Sequence, residues 1–202
     1  MSTLSTNAII PVTGTTVTLG ESGDTITIPS GATITNSGTA TGFGGGKLLN
    51  FVHTVKTDTF SLATTYTWTD VTGLSVTITP SATSSKILVN ASLNVGASVN
   101  YAQARIVDGS GNFITGFGGD TAGSRNRGCW GVFYRNTDGG PNIMHSMSAH
   151  LYHTSNSTSA QTYKVQLFTY SATQYVNRSV TDTDNANNSR TCSTISAMEI
   201  GA

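Results

Sequence analysis

The sequence predicts an all-β protein, a short β-strand stalk followed by a β-sandwich head, and three observations carry that prediction. Apolar and polar residues alternate with period two over most of the chain, as in a strand that buries one face. Clusters of Gly, Asn, Asp, Ser and Pro recur at even spacing between these runs, and no window has the 3.6-residue period of a helix. The composition also breaks near Gly46, with short threonine-rich runs before it and longer alternating runs after it.

Residues 1–14 form a polar lead with one apolar cluster, and Ile9, Ile10 and Val12 are expected to dock this arm on another protein. Residues 15–46 form the stalk. Its runs at 15–19, 25–28 and 32–35 are rich in β-branched residues, and turn chemistry follows each at residues 20–24, 29–31 and 36–38. The aliphatic side chains are Val17, Leu19, Ile26, Ile28 and Ile34. Fully buried, each contributes only ~1.5–3 kcal/mol, while every residue ordered costs ~1.5 kcal/mol, so one copy of the stalk cannot fold by itself. Copies wound round a shared axis would supply partners for the strand edges and a common core for these five side chains. Residues 39–46, rich in glycine, read as a hinge.

The head spans residues 47–202. Its expected strands begin at 48–56 and 65–69, the latter with Tyr66 and Trp68 on one side. Leu74, Val76 and Ile78 then alternate with polar residues up to Pro80, and a core strand carries Ile87, Val89, Ala91, Leu93 and Val95. Residues 102–107 lead into a hairpin turn at 108–112 and a return strand at 113–117. Residues 118–128 are a polar loop, 128–135 a strand, 136–142 a glycine-rich loop and 143–153 another strand. The segment 162–170 has either Tyr163, Val165 and Leu167 or the complementary set facing inward. A short strand at 175–180, a polar loop at 181–190 and a closing strand at 191–200 complete nine or ten strands, which argues for a β-sandwich.

Charged residues are only 10% of the chain and the formal net charge is +0, so no long-range field attracts nucleic acid or an anionic membrane. No apolar run approaches the ~18 residues of a membrane helix and no signal-peptide pattern opens the chain, so the expectation is a soluble product made in a cytoplasm. Cys129 and Cys192 lack any CxxC spacing and are expected to be reduced, buried thiols. The Asn-x-Ser/Thr triplets at Asn90, Asn156, Asn177 and Asn187 read as accidents of composition.

The residues KILVNASL from Lys86, YKVQL from Tyr163 and STISAMEI from Ser193 are arranged in an order that resembles the trimeric jelly roll of the tumour-necrosis-factor and complement globular-head type. The phrase TTVTLGESGDTITIPSGATI at residues 15–34 is similar to a segment that recurs in fibre and appendage proteins of tailed bacteriophages. These resemblances imply a homotrimer, N-terminal ends toward a virion and a jelly-roll head outward. They also imply other virion proteins as partners, and a location in a particle assembled in the host cytoplasm and released from it.

No catalytic constellation emerges. The chain has no GxSxG elbow, HExxH pair or phosphate-cradling Gly-Lys motif, and Asp120, Asp138, Asp182 and Asp184 sit among Gly, Thr and Asn, where Asp serves turns. His145 and His153 share a strand parity that His150 does not, so no cluster forms within one chain, and metal ligation would need copies gathered on an axis. The 182–188 tract reads as a polar loop, since Ala186 and Asn187 stand where a calcium loop needs other residues. No cofactor is expected.

Aromatics beside loops are the remaining binding signal, because sugar rings stack on them while Arg and Asn bond hydroxyls. Arg125, Arg127, Trp130, Tyr175 and Arg178, with Tyr134 and Tyr152 nearby, are the candidate receptor contacts, and a host-surface glycan the candidate ligand. The reading is a phage tail fibre or similar appendage that attaches by multivalency. A capsid-exterior decoration protein or head fibre and a stand-alone carbohydrate-binding module are the alternatives.

Overall fold

The computed structural model describes residues 9, 11, 13–35, 37–38, 47–97, 102–114, 116–132 and 143–201. Ile10, Val12, Tyr134, Asp138 and the hinge at 39–46 lie outside the described residues. The chain forms two compact units, Met1–Phe43 and Gly44–Ala202.

In the first unit the turn chemistry operates as the sequence indicates. The Asp24 N–H donates to the Glu21 carbonyl at 3.1 Å across Gly23 (φ 97°), and the Ala32 N–H to the Pro29 carbonyl at 3.1 Å across Gly31 (φ 87°). Both are turns whose third residue must be left-handed, which is why glycine stands there. Among the described residues of this unit no strand forms within one chain; the expected stalk strands are ones that copies wound together would pair. Ile9 is exposed, as are Val17, Leu19, Ile26, Ile28 and Ile34, the last five at 41–61%.

The second unit is an all-β sandwich of ten strands: β1 (Leu48–Lys56), β2 (Phe60–Leu62), β3 (Thr69–Ile78), β4 (Lys86–Ala97), β5 (Ala102–Asp108), β6 (Trp130–Val132), β7 (His145–Thr154), β8 (Gln161–Thr169), β9 (Gln174–Val176) and β10 (Ser193–Ile200). All pairings are antiparallel. In the first sheet β4 is central, paired along one edge with β7 and along the other with β10 and then β9; β1 and β2 pair in turn with β10 and β9. The second sheet has the order β3-β8-β5-β6. Leaving out the three-residue strands β2, β6 and β9, the chain changes sheet at every connection between described strands, which gives β1-β10-β4-β7 against β3-β8-β5. This is a jelly-roll-like arrangement, in which winding the chain between two sheets leaves few open edges.

The core lies between the sheets. Ile87, Val89, Ala91, Leu93 and Val95 of β4 meet Leu74, Val76 and Ile78 of β3, while Tyr163, Val165 and Leu167 form the inward set of β8. Four sequence expectations are corrected. Residues 65–69 are not a strand before Thr69, because Tyr66 has φ 59° and turns the chain. Residues 113–117 contribute one bridge, Val107 to Phe113, because Gly116 (φ 99°) ends the extended run. The 175–180 strand stops at Val176, since Asn177 takes φ 64°. Finally, β2 is a strand that the alternation did not indicate.

Buried polar groups tie the ends of the sheets together. Asn177 donates from Nδ2 to the carbonyls of Lys56 and Asp58 at 2.8 and 2.9 Å and accepts from Ser193 Oγ at 2.6 Å, which pins the break between β1 and β2 to β9 and β10. Glu199 is 1% exposed and accepts from the N–H and hydroxyl of Ser81, both at 2.6 Å, and from Ser85 Oγ at 2.7 Å. Burial alone would raise this carboxyl, but these donors outweigh it and hold the group below the ordinary glutamate value. Glu199→Gln is therefore expected to cost on the order of 1–3 kcal/mol at neutral pH. The carboxylate's contribution is full above the unfolded value, set at 4.5, and is lost as pH falls through the lower folded value. Urea unfolding of both proteins across that acidic window should give a steeper pH dependence in the native chain than in the variant, which keeps only the part due to other low carboxylates such as Asp70.

Candidate functional site

Alternation along β3, β8 and β5 leaves Asp70, Gln166 and Arg105 in one row on the outer face of the second sheet. Arg105 Nε donates to Gln166 Oε1 at 2.8 Å, Gln166 Nε2 donates to Asp70 Oδ1 at 2.7 Å, and Lys164 Nζ completes the set on Asp70 Oδ2 at 2.6 Å. Burial would raise the Asp70 carboxyl; the bonds from Lys164 and Gln166 outweigh it and keep the group low. The Arg105 guanidinium lies 4.2 Å over the Trp68 ring, and Trp68 packs on Phe168 with centroids 5.2 Å apart. One row further along, Phe168 pairs with Gln103, and Gln103 with Gly131 of β6.

A cleft of about 600 Å³ opens above that row. Phe168 and Gln103 lie on its floor strands, Tyr66 and Tyr170 line one part of it, and Ser124 and Asn126 of the polar loop line another. Tyr66 and Tyr170 meet edge to face at 4.9 Å, and each keeps more than half of its surface exposed. Left-handed backbone costs about 1–2 kcal/mol in a residue with a Cβ, and here it is held by a bond from the Tyr66 N–H to the Thr169 carbonyl at 2.9 Å. A smaller cavity of about 230 Å³ shares Gln103 and Asn126 and adds Gly128, Trp130 and Gly131. Among the described residues Gln103 Oε1 and Trp130 Nε1 are buried without a hydrogen-bond partner; Gln103 lies on the outer face, whereas Trp130 pairs with the core residue Ala104 and packs inward.

The sequence-predicted contacts do not form one site. Trp130 lies on β6, partly buried against the core and lining the smaller cavity. Arg125 is exposed on the loop between Ser124 and Asn126. Arg127 folds back, donating from Nε to the Gly119 carbonyl at 2.9 Å and lying 4.9 Å over Phe113. Tyr175 and Arg178 sit together on the other sheet, at β9 and just beyond it, with the guanidinium 3.7 Å over the ring. Arg178 also donates to the carbonyls of Ser179 and Val180 and lies 3.7 Å from Asp182, which Arg190 grips at 2.6 and 2.8 Å. That cluster holds a loop in place.

The outer face of the first sheet has a different character. Across β1, β10, β4 and β7 the register aligns Leu48, Ile200, Lys86 and Thr154, then Phe51, Met198, Leu88 and Tyr152. The next rows are His53, Ser196, Asn90 and His150, then Val55, Thr194, Ser92 and Ser148. None of these sixteen residues is acidic and Lys86 alone is formally charged. Phe51, Val55, Leu48 and Tyr152 are strongly exposed.

Two histidines, His53 and His150, thus share a row on this face. His153 is half-buried instead, with Nε2 2.7 Å from the Tyr163 hydroxyl and Nδ1 2.8 Å from the Thr154 carbonyl. Burial lowers its affinity for a proton. Among the described residues no group of three or more His, Cys, Asp or Glu side chains is placed to hold a metal ion, and no helix is long and apolar enough to cross a membrane. The chain matches no protein-family model and no curated protein sequence.

The cleft was hidden in the sequence because its aromatics were assigned to a strand or to packing. The signal that could have found it is the pair of YxW and FxY spacings, Tyr66 with Trp68 and Phe168 with Tyr170, at the same end of two neighbouring strands. The expectation of two buried thiols is corrected for Cys192, which is exposed next to the end of β10. Cys129 is half-buried, and burial pushes its thiol up against the opposing pull of the Ile106 N–H and Arg105. Iodoacetamide at mildly alkaline pH should therefore modify Cys192 first, with Cys129 slower by about tenfold or more until denaturant is added. Peptide mass spectrometry over a time course checks the order.

Proposed function

We propose that this protein is a structural and adhesive appendage of a tailed-phage particle, working as a homotrimer that attaches by many weak contacts. The observation that carries the reading is the outer face of the first sheet. A flat, nearly uncharged surface with a continuous apolar row and flanking Ser, Thr, Asn and His is what a protein–protein interface requires. It offers apolar area at its centre and groups at its rim that can bond across without desolvating full charges. A second copy of the same surface suits it, because neutrality removes like-charge repulsion between identical faces. The threefold count comes from the resemblance to trimeric jelly rolls.

The N-terminal unit supports the same reading independently. Its aliphatics are exposed in a single chain and two of its turns are already formed, so lateral partners would supply the missing cover. The likeness of residues 15–34 to phage fibre segments supports the particle assignment, and attachment by avidity suits a chain with no catalytic constellation in its sequence.

Light scattering coupled to gel filtration of the full chain at micromolar concentration should give a mass about three times the 21.0 kDa of one chain. Met198→Glu with Leu88→Glu, which places charge in the centre of the apolar row, should return a folded monomer by the same measurement and by circular dichroism. A native chain that runs as a monomer, or a double variant that still associates, would reject this interface.

A further inference from the structure

We infer that the cleft on the outer face of the second sheet is a binding site for neutral saccharides. The larger cavity opens on the outer face of the second sheet, where alternation along β8 and β5 places Phe168 and Gln103 side by side. A smaller cavity adjoins it, with Gln103 and Asn126 common to both. A sugar hydroxyl is donor and acceptor in one group, so it can bond to an amide or a hydroxyl of either polarity.

Ring shape and charge narrow the class. Tyr66, Tyr170 and Phe168 give the larger cavity the aromatic surface on which the apolar C–H face of a pyranose stacks, while Ser124, Asn126 and Gln103 supply hydrogen-bonding groups. Among the described residues, none that lines either cavity is formally charged. Arg105, the nearest fixed cation on the floor strands, is committed to Gln166 and stacked on Trp68. Nothing in the lining therefore repays the desolvation of a carboxylate or sulfate. The left-handed Tyr66, held by its backbone bond to Thr169, is a strain placed where it orients a ring at the mouth of the cleft.

This site lies on the sheet facing away from the proposed trimer surface. It completes the attachment reading by supplying its ligand class, yet it does not rest on trimer formation, since every group named belongs to one chain. It also replaces the expected receptor set of Arg125, Arg127, Trp130, Tyr175 and Arg178, of which it retains Trp130 alone.

Trp68 packs on Phe168 of the cleft with ring centroids 5.2 Å apart, so tryptophan fluorescence reports on the site. Titrating the full chain with lactose, maltose, cellobiose and chitobiose should change that emission saturably for at least one of them, with a millimolar dissociation constant. Tyr170→Ala and Asn126→Ala, both at exposed positions, should each weaken binding by about tenfold while circular dichroism and thermal midpoint stay unchanged. The Met198→Glu, Leu88→Glu variant should bind each chain with unaltered affinity, which separates this site from the state of assembly. Absence of a saturable change with all four sugars would overturn the proposal, as would binding that survives both cleft substitutions. A preference for sialyllactose that Arg125→Ala abolishes would replace the neutral class with an acidic one recognised by the loop.

Discussion

The outer face of the first sheet is dictated by the pairing of β4. That strand is bonded along both edges, to β7 on one side and to β10 and β9 on the other, so its register is fixed over almost its whole length. With Ile87, Val89, Ala91, Leu93 and Val95 committed to the core, Leu88 must face out, and the register then sets Met198, Phe51 and Tyr152 beside it. A slip by one residue would hide that row only by expelling the entire core set of the strand. The apolar row is thus a consequence of the fold, and the proposed assembly is one way in which it would be covered.

The second sheet manages its outer face differently. There Asp70, Gln166, Arg105 and Lys164 bond one another, and the guanidinium covers Trp68, so charge and aromatic surface are consumed within the chain. The network stops one row short of Phe168 and Gln103, and the loop carrying Ser124 and Asn126 borders the gap. A charged row beside an uncharged cleft is a useful contrast, since the same strands supply both.

The alternation of side chains made the sandwich legible, because a two-residue period is local information. The bounds of β1, the inward set of β4 and the turn at residues 108–112 were all readable for that reason. What was not legible depends on single backbone angles or on contacts distant in sequence. Tyr66 breaks an alternating run by one positive φ, and β2 is a strand only because β9 pairs with it. The cleft joins residues from near 66, 103, 125 and 169, and no local pattern announces that these meet. Arg178 and Tyr175 were expected only as members of a larger receptor set; the arginine is engaged by carbonyls and Asp182, which composition could not reveal.

Opposite faces of one sandwich give the proposed activity its logic. If the uncharged outer face of the first sheet is occupied by sister chains, the second sheet of every chain turns outward with its cleft open, and the sites multiply without any change in their own geometry. A cleft built from two phenols, an amide pair and a hydroxyl can hold a neutral ligand only weakly, since no charge-assisted bond is present. Weak single sites are an advantage for a surface that must sample before it commits, provided that copies are linked so that one contact raises the local concentration of the next. The low charge of the chain serves both faces at once: it lets identical surfaces approach one another, and it leaves recognition to ring stacking and hydroxyl bonding, which depend on contact geometry and little on salt.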